Sequence, residues 1–219
     1  RLIHFGCDER VAVERNQNMK PHLARLALSA FGFGLAANAA MAHEFTTALY
    51  VTGENRAQRL AEAVNGFLLA ADERDGHPAE TSDGHLGGVD VQILPLPEAM
   101  AASVTGLNGT AQIPPDVMVI LGDAPVPAAV LAELGFEGSM VPSGALPDSW
   151  AADDSAGSFA QRYRSAYGAE PSVAAAQGYN AARRLDIAIR PLGGVSPRAA
   201  LDTALAETEG GVNWNRGTQ

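Results

Sequence analysis

The sequence predicts an α/β fold: a three-layer, mainly parallel sheet with helices on both faces. Three observations carry that expectation. Strand-like and helix-like stretches alternate along the chain, as in β-α-β units. The helical stretches are apolar on one side only. The run "VMVIL" (Val117–Leu121) is continuously apolar, as a parallel strand covered on both faces requires.

Taken in order, "TTALYVT" (46–52) is β-branched and aromatic and is stopped by Gly53, so it reads as the first strand. A helix follows over 55–74. Its apolar residues Leu60, Ala63, Val64, Phe67, Leu68 and Ala71 fall at i, i+3, i+4, i+7, i+8 and i+11, a stripe that faces a core. The turn-rich "DGHPAETSDGHLGG" leads to a second strand over 89–94. Residues 98–107 are a weaker helix candidate and "LNGTAQIPPD" a loop before the strand Val117–Leu121. "VPAAVLAELG" is a short helix closed by Gly135, and "GSMVPSG" a short strand or loop. From about 153 the pattern is helical: a stripe of Phe159, Tyr163, Ala166 and Tyr167, then the alanine-rich "SVAAAQGYNAARRLDIAI", then 197–207 with Pro197 near its first turn. In the alanine-rich helix Arg183 and Arg184 are expected on the solvated side.

The chain has 219 residues, 47% hydrophobic and 18% charged, an ordinary globular balance. It begins with Arg1, while Met19 opens a better-formed start: "MKPHLARLALSAFGFGLAANAAMAHEF". Lys20 and Arg25 make a positive n-region, 26–35 a short apolar run, and Ala40-Met41-Ala42 a small-residue cleavage site. The expected organisation is therefore an upstream segment 1–18 outside the native start, a signal peptide 19–42 and an exported domain 43–219. No later stretch approaches the length needed to span a bilayer.

Cleavage after Ala42 removes five of 15 basic and three of 25 acidic residues, leaving 10 and 22 and no lysine. So acidic a chain disfavours nucleic acid and anionic membrane surfaces. Cys7 is upstream of Met19, so the exported form has no thiol for a disulfide, a nucleophile or a metal. No nucleophile elbow, phosphate loop or dinucleotide fingerprint occurs, and neither an enzyme nor a cofactor is expected. His43 with His77 or His85 would suit copper, but "HPAETSDGH" lacks metal spacing and reads as a loop. "NGT" at Asn108 matches a glycosylation acceptor, a pattern too short to inform.

Three blocks in order resemble the type I periplasmic solute-binding proteins, which include the branched-chain amino acid receptors of ABC transporters. They are "NGFLLAADERDGHP…GGVDVQILPLP", "PPDVMVILGDAPVPAAVLAELGFEGSMVPSG" and "SFAQRYRSAYGAEPSVAAAQGYNAARRLDIAI". The resemblance implies a Rossmann-like sheet, a periplasmic location, and a small-molecule ligand delivered to an ABC permease. Members have two lobes that close on the ligand, whereas here the first-lobe blocks pass directly into the late signature, so a single lobe is expected. The alanines would let the late helix sit tightly on the sheet, with Tyr179 toward the crevice.

Ligand contacts are expected at the carboxyl ends of the strands: Thr52 and Gly53 after the first, Asp123 after the third, Ser143 and Gly144 after the fourth, and Tyr179. Amino-acid-binding members place a Ser or Thr after the third strand. This chain has "GDAPVPAA", and Asp123 would repel a carboxylate and favour neutral or cationic compounds. One function class is a reduced solute-binding protein. The other is a scaffold that binds a periplasmic protein or a second copy through the rim around Pro125, Val126, Pro127 and Val141.

Overall fold

The computed structural model describes residues 44–75 and 81–214. The upstream segment, the signal peptide, His43 and His77 lie outside the described residues.

The elements run β1 (Glu44–Val51), α1 (Arg56–Asp75), β2 (His85–Leu86), β3 (Val89–Leu96), β4 (Val117–Leu121), α2 (Ala128–Glu133), β5 (Ser139–Pro142), α3 (Phe159–Tyr167), α4 (Val173–Ile189) and α5 (Arg198–Ala206). The protein is α/β. Its five strands form one mixed sheet in the order β2-β3-β1-β4-β5. β1 is parallel to β3 and β4, and β4 to β5; β2 is antiparallel to β3. The antiparallel strand is the departure from expectation. A two-residue strand is too short to show a period of two, and its pairing comes from the Gly87-Gly88 turn, which reads as loop.

Alternation along the strands separates two faces. Phe45, Leu49 and Val51 of β1, with Val91, Val119, Leu121 and Val141, enter the main core under α1 and α4. Ala48, Tyr50, Leu96 and Met118 point the other way, where Val130 and Leu131 of the short α2, flanked by Val126 and Phe136, cover them. β5 is an edge strand. Pro142 at its end has no N–H to offer another chain, and its carbonyl is taken by Arg184, which blunts that edge.

The alanine-rich helix α4 packs chiefly on α1 rather than directly on the sheet. Gly66 of α1 and Gly178 of α4 mark the crossing: a Cβ on Gly66 would overlap the Ala175 carbonyl, and one on Gly178 the Ala63 carbonyl. Small residues on both helices bring the two backbones together, so the alanine face finds a helix of matching smoothness.

Arg183 and Arg184 are buried, at 3% and 1% exposure, which corrects the expectation that they are solvated. α5 and the segment 208–214 close over the side of α4 that carries them. Arg184 donates to Thr208 Oγ1 (2.8 Å), to the Leu205 carbonyl (3.1 Å) and to the Pro142 carbonyl. Those acceptors are all neutral, and burial pulls its pKa below the usual arginine value. Arg183 lies 3.5 Å from Asp186, whose carboxylate also accepts from Gly87 N–H at 2.9 Å and pins the β2–β3 hairpin to α4. Charged groups this deep persist because most of their donors are partnered, although Arg183 Nε is buried without a hydrogen-bond acceptor.

The weak helix candidate at 98–107 becomes a 3₁₀ helix, Glu98–Ser103, followed by extended chain. Buried Asp83 holds that return segment: its carboxylate accepts from Ile93 N–H (2.7 Å), Asn108 N–H (2.6 Å) and Gly109 N–H (2.8 Å). A side chain here supplies the order that a crossover helix would otherwise give.

Candidate ligand cleft

β3 lies on one side of β1 and β4 on the other, so the connections after β1 and β4 diverge. Open α/β sheets bind ligands in the crevice that such a reversal creates at the carboxyl ends. Here that edge is made by the loop after β1, the loop after β4, the first turns of α1 and the N-terminus of α4.

Thr52 is buried, at 6% exposure. Its N–H donates to the Leu121 carbonyl (2.9 Å) and its Oγ1 accepts from Ala124 N–H (3.3 Å), so it staples the two loops together. Gly122 passes directly over that hydroxyl with φ +116°, where a side chain would overlap Thr52 Oγ1. Arg59, on α1, donates from Nη1 to the Thr52 carbonyl at 2.5 Å. Its guanidinium occupies room left by two glycines: a Cβ on Gly53 would stand 3.0 Å from Nη1, and one on Gly122 3.4 Å from Nη2.

An open cleft of about 480 Å³ adjoins this loop pair, lined by Arg59, Glu62, Gly122, Asp123, Ser172 and Gln177 among others. Ser172 caps α4, accepting from Ala175 N–H at 3.2 Å, and donates to Glu62 at 2.6 Å. Glu62 also accepts from Gln58 at 2.8 Å. The two helices are thereby tied across the floor of the cleft. Arg59 has no carboxylate within ion-pair distance among the described residues.

Of the residues expected to bind ligand, Asp123 lines the cleft and is exposed. Thr52 and Gly53 stand behind it through Arg59, and the Thr52 hydroxyl already has a partner. Ser143 and Gly144 do not line the cleft. The Ser143 carbonyl accepts from Asn180 at 2.6 Å, and Gly144 lies against the Arg184 side chain. Val141, expected on an apolar rim, is fully buried, while Pro125 and Pro127 are exposed.

Tyr179 is a core residue, 1% exposed, which corrects its expected place in the crevice. Its hydroxyl donates to Glu73 (2.8 Å) and accepts from Arg162 (2.6 Å). Its ring packs on Phe159 and Trp214 at centroid distances of 4.8 and 5.0 Å. An aromatic in an alanine-rich helix marks the gap filled by neighbouring aromatics, and periodicity does not say on which side that gap lies.

No protein-family model, characterised protein or solved structure matches the chain. What the cleft can do follows from its own groups. It offers a guanidinium on one side, carboxylates at Glu62 and Asp123, and amide and hydroxyl groups at Gln177 and Ser172. Among the described residues no group of three His, Cys, Asp or Glu side chains is placed to hold a metal, and no helix is long and apolar enough to cross a membrane. His85, one of the histidines weighed for copper and read instead as part of a loop, lies 2.5 Å from Asp90. A smaller cavity of about 160 Å³ sits between Trp150, Phe159, Arg162 and Trp214.

The sequence reading missed Arg59, Glu62, Ser172 and Gln177. The signal was partly present. Arg59 and Glu62 are polar positions beside the apolar stripe in the first turns of a helix that follows the first strand, and Ser172 stands directly before the alanine run as an N-cap.

Proposed function

We propose that this chain is a reduced periplasmic solute-binding protein of the kind that serves ABC transporters, a single Rossmann-like lobe related to type I periplasmic binding proteins. Its role is to present a small molecule to a permease after export by the segment 19–42. The observation that carries this reading is the cleft beside Arg59 and Asp123, at the point where the strand order reverses. The parallel pairing of β1, β3, β4 and β5 and the order of the three resembling blocks support the same kinship.

A cleft closed by one lobe alone leaves a bound solute wet on one side, whereas ligand sites that bind tightly bury most of the ligand. Affinity for small solutes is expected no better than about 1 mM, roughly −4 kcal/mol. Calorimetry of the exported form against leucine, valine and related amino acids tests this. Millimolar or weaker binding fits the reduced receptor; a micromolar constant would restore an ordinary, high-affinity one.

A second reading, a scaffold for a periplasmic partner or a second copy, draws on exposed Ile113 (63%) and Met140 (45%). Sedimentation of the exported form decides it: a stable dimer favours the scaffold, a monomer the solute-binding role.

A further inference from the structure

We propose that the cleft is an oxyanion site, in which Arg59 holds the carboxylate or phosphate group of a small ligand; this rests on the cleft being the binding site. Three features of Arg59 point there. Its guanidinium is pre-positioned by the 2.5 Å bond from Nη1 to the Thr52 carbonyl, so little conformational freedom remains to be lost on binding. The carbonyl engages only part of the planar fork of donors that suits a carboxylate or phosphate. And no carboxylate among the described residues neutralises it, although it stands at the reversal point of the sheet and lines a cleft of about 480 Å³.

The backbone is arranged around this side chain. Gly53 at φ +88° and Gly122 at φ +116° come from the ends of neighbouring strands; a Cβ on Gly53 would crowd the guanidinium at 3.0 Å, and one on Gly122 would overlap the Thr52 hydroxyl beside it. Two other arginines have carboxylate partners, Arg162 with Glu73 at 2.5 Å and Arg190 with Asp186 at 2.8 Å, while Arg184, which also lacks one, spends its donors on three neutral acceptors in the core. Arg59 has no carboxylate within ion-pair distance among the described residues, and its guanidinium is free of the neutral core acceptors that occupy Arg184.

Two acids share the cleft. Glu62 is engaged by Ser172 and Gln58, while Asp123 stands exposed on the loop after β4. Asp123 opposes an anion, yet an exposed charge acts through water, where a unit pair at about 4 Å interacts by only about 1 kcal/mol. A hydrogen-bonded contact to a charged group contributes about 1.5–3 kcal/mol. A guanidinium contact in this range offsets both acids, Glu62 included, whose charge its neutral donors Ser172 and Gln58 leave in place, so the two weaken the site without abolishing it. This reverses the preference for neutral or cationic compounds that Asp123 alone suggests.

The test is an amide chemical-shift titration of the exported form with sodium phosphate and, separately, sodium acetate, each against sodium chloride at the same ionic strength. The expected result is saturable movement of the Gly53 and Gly122 amides in the millimolar range, with the stronger of the two anions identifying the oxyanion class. Arg59→Gln should weaken the response about tenfold or more. Asp123→Asn, which leaves Arg59 in place, should strengthen it about two- to fivefold. If ethanolammonium or glycerol moves these amides and neither anion does, the oxyanion assignment is overturned while the cleft stands. If no probe moves them, both fail. An anion response unchanged by both substitutions, or matched by chloride, also overturns the proposal.

Discussion

The Tyr179 hydroxyl stands between Glu73 and Arg162, donating to the first at 2.8 Å and accepting from the second at 2.6 Å, while Arg162 Nε lies 2.5 Å from Glu73. Three elements, α1, α3 and α4, thus meet in one buried polar triangle over the aromatic rings of Phe159 and Trp214. Tyr179→Phe keeps the ring packing and leaves a buried ion pair short of one partner. The expected loss is about 1–2 kcal/mol in urea unfolding. An unchanged midpoint would mean that the triangle contributes nothing.

The same tyrosine predicts an alkaline limit. Burial, and then the Glu73 charge, hold its pKa well above the ordinary value of 10.0. Above pH 10 the unfolded chain loses this proton and the folded chain keeps it, so the unfolded state binds fewer protons and stability falls as pH rises. The slope is about 1.4 kcal/mol per pH unit from this residue. Below pH 10 both states are neutral and no effect is expected. Unfolding curves between pH 9 and 11.5 should show the Tyr179→Phe variant falling less steeply than the parent.

Gly66→Ala and Gly178→Ala should each destabilise by about 1–3 kcal/mol, because the added methyl would overlap backbone atoms of the facing helix and the helices must move apart. Since both act on one crossing, the double variant should cost less than the sum, as sites in contact do. Thermal melts followed by circular dichroism measure this; strict additivity would indicate that the helices are not in the contact described.

Much of this architecture was legible. The strand Val117–Leu121 is read at its observed bounds, because an apolar run five residues long has little else to be. The helix expected at 55–74 forms at Arg56–Asp75, since its stripe is regular over about three turns. The site was less so. Glycine and acid positions at strand ends are visible in a sequence, and Asp123 indeed lines the cleft. The direction of Tyr179, the burial of Arg184 and the engagement of Ser143 depend on what α5 and residues 208–214 cover, and those contacts are long-range.

Arg184 offers a further check on that cover. Arg184→Ala removes its donors from the Thr208 hydroxyl and from the carbonyls of Pro142 and Leu205, and opens a cavity between β5 and α5. The expected cost is about 2–5 kcal/mol. Arg184→Met, which refills the volume and removes a buried charge whose hydrogen-bond acceptors are all neutral, should cost less by at least about 1 kcal/mol. Equal losses would contradict the assignment of its effect to packing and desolvation.

Export is predicted by the positive n-region, apolar run and Ala40-Met41-Ala42 site. Expressed with its leader in a bacterial host, the protein should be recovered from the periplasm with His43 as its first residue by N-terminal sequencing. Material retaining Met19 would contradict it.

The central claim is that solutes bind where β1 and β4 diverge. A crystallographic fragment screen on the exported form tests it most directly. Fragments are expected to gather in the cleft between Arg59, Asp123 and Ser172, with anionic ones against the guanidinium. Fragments collecting instead between Trp150 and Trp214, with the cleft left to solvent, would contradict it.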